Sequence, residues 1–265
     1  MVALYQMVIY QPLFNILVWL YNVIPGHDVG IAIILLTIVV KLILYPFSLQ
    51  SIRAQKSMQA LQPKLDELKK KYKDDKEKLS QEMMKLYKDE KVNPFSSCLP
   101  VLVQLPILIA VYQVLRNGLS NGSFVLLYPF IANPGQIGLI AFGFLDLSKP
   151  NMVLAVLAGL AQYWQTTMVQ VQQPPKTKDG KVLAGAKDEN VMATMNKQMK
   201  YTMPLITIII GFSLPGGLTL YWLIMTLLTV LQQYVVFRKV NKGEKPKNDG
   251  NNHPDVKVIE GEIIK

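Results

Sequence analysis

The stretch VGIAIILLTIVVKLILYPFSL, residues 29–49, carries a single charge, Lys41, in 21 residues. A helix of that length rises about 31 Å, enough to cross the hydrocarbon core of a bilayer. A soluble domain also collects apolar residues, but not in unbroken runs of this length. The same pattern recurs downstream. Met152 to Val171 and Leu218 to Phe237 contain no charged residue. With 51% hydrophobic residues among 265, the chain reads as a membrane protein built from helices.

The charges confirm that organisation by their position. The 28 Lys and Arg residues outnumber 18 Asp and Glu, for a net charge of +10. Twelve basic residues lie between Arg53 and Lys91, six between Lys176 and Lys200, and seven from Arg238 to Lys265. Basic blocks alternating with apolar runs follow the positive-inside rule for cytoplasmic segments. Direct nucleic-acid specificity is not expected, because the blocks flank spans, carry acids and lack interleaved aromatics.

Five spans account for the apolar runs: about 29–49, 98–115, 152–171, 201–214 and 218–237. With the N-terminus outside, this number places all three basic blocks, and the C-terminus, on the cytoplasmic side. The apolar stretch 137–147 is too short to cross. Residues 1–27 hold scattered amides and aromatics ahead of Pro25-Gly26, which suits either a further span or an amphipathic helix lying in the membrane interface. Residues 50–92 are polar with Leu61, Leu65, Leu68 and Tyr72, then Leu79, Met83, Leu86 and Tyr87, at helical spacing. They read as a cytoplasmic hairpin of two amphipathic helices. Within the core 28–240, Pro215-Gly216-Gly217 marks an external turn. The polar tail 241–265 is expected to be disordered. The N-terminus lacks the basic region and cleavage site of a signal peptide.

Lys41 stands out. It lies one helical turn from Thr37, on the same face. A cation inside a membrane helix either serves a water-filled interior or snorkels to the headgroups, and the residues alone allow both. Other spans carry Gln104 and Gln113; Gln162, Gln165, Thr166 and Thr167; and Thr219, Thr226, Thr229, Gln232 and Gln233. These are either interhelical glue or the lining of a polar concavity. The single cysteine, Cys98, excludes an intrachain disulfide, and His27 and His253 belong to no metal-ligand pattern. Neither Walker pattern nor a nucleophile–base pair is present, so no enzyme activity, cofactor or metal is expected. The spans hold no carboxylate, which argues against an ion-coupled transporter.

Four stretches resemble the YidC/Oxa/Alb family of insertases: QPLFNILVWLYNVI (11–24), LLTIVVKLILYPFSLQSIRAQKSMQALQPKL (35–65), LSQEMMKLYKDEKVNPFSSCLPVLVQLPILIAVY (79–112) and LPGGLTLYWLIMTLLTVLQQYVVFRK (214–239). The most distinctive is KVNPFSSCLPVLVQLPI. The resemblance implies an all-α membrane protein of five transmembrane helices, an N-terminal interfacial helix and a cytoplasmic helical hairpin, in a short bacterial form. It implies a groove open to cytoplasm and lipid that takes nascent hydrophobic segments into the bilayer without nucleotide hydrolysis. A basic residue, usually arginine, sits in the family's groove; Lys41 matches it, keeping the charge and losing the bidentate fork. Thr37, Gln104, Tyr221, Trp222 and Thr229 match groove-lining positions, with Trp222 standing where a second tyrosine is common. Implied partners are nascent membrane proteins, the lipid bilayer and, through the basic tail, the ribosome. The Sec translocon and the signal recognition particle pathway are further ones. An assembly chaperone working beside the translocon is the alternative function, and a small solute transporter a weaker one.

Overall fold

The computed structural model describes residues 2–73, 75–93, 99–118, 121–169 and 200–241. Cys98, the basic loop up to residue 199 and the tail from 242 lie outside the described residues. The first helix, α1, runs Val2–Tyr5 and Gln11–Val23, with one π-helical turn, Gln6–Tyr10, between them. Next come α2, Val29–Ile43, then α3, Tyr45–Lys71, and α4, Lys76–Asp89. The order continues with α5, Leu99–Gln113, a short 3-10 helix, Asn121–Leu126, and a two-stranded antiparallel hairpin of β1, Ile140–Ala141, and β2, Leu145–Asp146. Helices α6, Met152–Val169, α7, Lys200–Gly211, and α8, Gly216–Asn241, complete the chain.

By length and composition, Ala3–Val23 and Gly216–Arg238 can each cross a membrane. Helices α2 and α3 together form a third candidate, bent by 68° at their junction. The bend falls at Leu44, so the apolar run 29–49 is not one straight rod. Pro46, in the first turn of α3, lacks the N–H that would donate to a carbonyl one turn back in α2.

A shared core joins α1, α2, α5 and α8. Phe14, Leu17, Ile33, Leu36, Val111 and Tyr221 are sealed within it. The opposite faces leave Leu42, Ile109, Leu160 and Ile209 exposed, the inverse of a soluble protein's pattern and the surface that lipid would cover. Helices α6 and α7 meet through small residues. A Cβ added at Gly211 would lie 2.8 Å from that of Ala155, and one at Gly159 would overlap Ile208.

The two ends of the bundle differ. At one, α3 and α4 form a helical hairpin, with Leu61 and Leu65 buried, an ion pair between Lys64 and Glu90, and Asp75 capping α4 through the Lys78 N–H. At the other, residues 121–151 fold into a cap tied to the helices. Asn15, buried in α1, donates to the Leu126 carbonyl (3.0 Å) and accepts from the Tyr128 N–H (2.7 Å). Asn22 donates to the Ala132 carbonyl, and Asp28 accepts from both Ile31 and Phe142. The Gly216 and Gly217 N–H groups, orphans of the first turn of α8, donate to the Lys149 and Leu147 carbonyls. Helix α8 begins at Gly216, so Gly216 and Gly217 belong to the helix rather than to the turn expected over 215–217, and the turn falls at residues 212–214.

Candidate functional site

Two polar pairs interrupt the core along α8. Nearer the cap, the Gln104 amide on α5 donates to the Tyr221 hydroxyl at 2.7 Å. Tyr221 is only 1% exposed, so this bond meets its need for a partner. Nearer the helical hairpin, the Lys41 ammonium donates to Thr229 Oγ1 at 2.9 Å and to Ser48 Oγ at 3.1 Å. The Thr229 hydroxyl in turn donates a hydrogen bond to the Met225 carbonyl one turn back. Eight residues separate Tyr221 from Thr229, about 12 Å along the helix axis.

Local structure explains why Lys41 reaches this position. It lies in the last turn of α2, where a cation faces the negative end of the helix dipole. The bend at Leu44 then swings Ser48 back over it. Lys41 is 9% exposed, buried among protein groups rather than extended to solvent. One ammonium links α2, α3 and α8.

Among the described residues, Thr37 and Trp222 join neither pair. Thr37 is fully buried and donates to the Ile33 carbonyl of its own helix. Trp222 is half-buried on the face of α8 next to Tyr221, and its carbonyl accepts from Thr226. Ser48, Ser51 and Gln55 belong to the site, but Ser48 reads in sequence as the end of the apolar run 29–49, and Ser51 and Gln55 as the start of a solvated hairpin. Their spacing of three and seven residues was the available signal, since it puts all three on one helix face. No cluster of three potential metal ligands occurs among the described residues.

The site is a cation held on neutral hydroxyls inside a helical, lipid-facing bundle. It has donors and acceptors for a polar guest. The class defined is a helical membrane protein with an internal polar site.

The chain matches the family model described as 60Kd inner membrane protein over residues 19–244. It is 36% identical over 233 residues to "Membrane protein insertase YidC" of Fusobacterium nucleatum, covering 87% of this chain and 98% of that one. It is 34% identical over 227 residues to the protein of the same name from Clostridium tetani, covering 85% and 88%. In the longer protein of that name from Methylobacillus flagellatus, 36% identity over 244 residues covers 91% of this chain and 38% of the relative. The chain belongs to the 60Kd inner membrane protein family, the YidC/Oxa/Alb group.

Proposed function

We propose that this protein is a membrane protein insertase of the bacterial inner membrane, taking nascent hydrophobic segments into the bilayer without nucleotide hydrolysis. The observation that carries the reading is Lys41, an ammonium inside a lipid-facing bundle that donates, among the described residues, to two hydroxyls. In this reading α1 lies at the interface. Helices α2, α5, α6, α7 and α8 cross, with the cap outside and the helical hairpin in the cytoplasm. Lys41, Thr37, Gln104, Tyr221, Trp222 and Thr229 line a groove reached from the cytoplasm and from lipid.

The physical task is to carry a polar or acidic flank past hydrocarbon. A carboxylate at the bilayer centre costs about 3 kcal/mol on insertion scales. A counter-charge and hydroxyl partners inside the protein lower that barrier. The apolar segment then leaves sideways into lipid, driven at roughly 25 cal/mol per Å² of surface removed from water. Donors already positioned in the protein do this work, so no nucleotide is consumed. The basic tail would bring ribosomes to the membrane, and the Sec translocon and signal recognition particle pathway would supply further substrates. Deleting residues 242–265 is expected to weaken ribosome pelleting and leave insertion in place.

The test is reconstitution. Purified protein in liposomes, given a single-span substrate in the absence of ATP, is expected to render the translocated flank resistant to protease. Protection no greater than in empty liposomes, with several substrates and a folded protein, would favour an assembly chaperone that needs the Sec translocon.

A further inference from the structure

The bonds of Lys41 are two links in a longer ring. Thr229 and Gln233 lie one turn apart on α8, and the Gln233 amide donates to Gln55 Oε1 on α3 at 3.3 Å. Gln55, Ser51 and Ser48 follow one face of α3 back to Lys41. The ring closes the seam between α3 and the far end of α8. Lys56 adds an ammonium 5.2 Å from the centre of the Phe237 ring.

This seam is buried but not satisfied. Ser51 is 0% exposed and Gln233 1% exposed, yet among the described residues Ser51 Oγ and Gln233 Oε1 have no hydrogen-bond partner. Both amide atoms of the neighbouring Gln232 are also without one. Each such atom leaves the closed seam less stable than a fully paired one. An incoming polypeptide has the complementary deficit. Wherever it is not helical at membrane depth, its backbone N–H groups have nothing to donate to. Bringing the two together removes both penalties.

We propose that Ser51, Gln55 and Gln233 form a second substrate station beyond Lys41, which binds the backbone amides of the non-helical flank of an entering chain. This rests on the insertase reading and gives that reading a ligand: the peptide group itself, whatever its side chains. Entry exchanges the Gln233–Gln55 bond, and the Lys41–Ser48 bond beside it, for bonds to the guest. The unpaired atoms keep the closed seam weak enough to open. Because peptide groups are common to every chain, the station is indifferent to sequence, while Lys41 senses charge.

The test uses the full-length protein in liposomes and a synthetic single-span substrate in two forms. One has ordinary amides through its flank; in the other, four flank amides are esters, which remove N–H donors and keep the side chains. The parent protein is expected to insert the ester form about fivefold more slowly, the size of one lost hydrogen bond. The Ser51→Ala/Gln233→Leu double variant should show a clearly smaller ester penalty than the parent, because only the Gln55 acceptor remains on the protein side. Equal ester penalties in parent and variant would overturn the proposal. Failure of the parent to insert the amide form would instead overturn the insertase reading. If the double variant does not fold, a photoreactive phenylalanine at position 51 replaces it as probe. It should cross-link to the flank of a substrate stalled during insertion, and cross-linking only to the apolar segment, or none, would count against the station.

Discussion

Lys41 is held by hydroxyls, which are neutral and can be displaced, rather than by a carboxylate. An acidic guest gains a charge-assisted bond where Ser48 and Thr229 offer neutral ones. Across 8 Å at an effective dielectric of 20, a unit charge pair is worth about 2 kcal/mol. Lys41→Glu reverses that sign, so insertion of acid-flanked substrates is expected to fall more than about tenfold. Lys41→Arg should retain activity, and both are read in the protease-protection assay. Full activity of Lys41→Ala on every substrate would remove Lys41 from the mechanism. Tyr221→Phe deprives the Gln104 amide of its acceptor and should cost about 1 kcal/mol of stability, measured by thermal unfolding in detergent. At this scale the sequence was informative where a residue broke a pattern. Lys41 interrupts a hydrophobic run and is visible at once. Ser48 sits at the end of the apolar run and Gln55 among other polar residues, and both became visible only when the bend brought them to Lys41 and Gln233.

The helices were legible from hydropathy because a bilayer-length apolar run has few other uses. What hydropathy lacks is direction, so it passed over the 68° break at Leu44. Pro46 was the only local mark of it. The β-hairpin over 140–146 was equally silent: two residues per strand carry no readable alternation. It is positioned by contact, since a Cβ on Gly30 of α2 would lie 2.5 Å from that of Ala141. Gly30→Ala is therefore expected to destabilise the protein by about 1–3 kcal/mol, with partial recovery in the Gly30→Ala/Ala141→Gly pair, followed as the midpoint of thermal unfolding. Gly159→Leu should separate α6 from α7 more severely, because Ile208 already fills the space and the Pro204 carbonyl lies behind it. Loss of monodisperse protein on size exclusion would report this.

Across the whole molecule, polar satisfaction is distributed unevenly. Among the described residues, the cap end pairs its polar groups through Asn15, Asp28 and the first turn of α8, whereas the seam under the helical hairpin leaves several buried ones unpaired. The cap also has a pH limit. The Ser148 hydroxyl, the Ser148 N–H and Lys149 hold the Asp146 carboxyl below the usual carboxylate range. A depressed folded value stabilises above the unfolded carboxylate value of about 3.9 and is lost as pH falls through the lower folded one. Amide hydrogen exchange in residues 139–149, corrected for intrinsic rates, is thus expected to accelerate below that range and to be steady above it. At the other end, α3 has the proportions of a lever. Its 27 residues extend about 40 Å from the pivot at Leu44, while Gln55 is about 15 Å along it. A load at the far tip therefore acts on the seam with more than twofold mechanical advantage. If α3 parts from α8 by turning about Leu44, a shortened arm would need a proportionally larger force at its tip to do it.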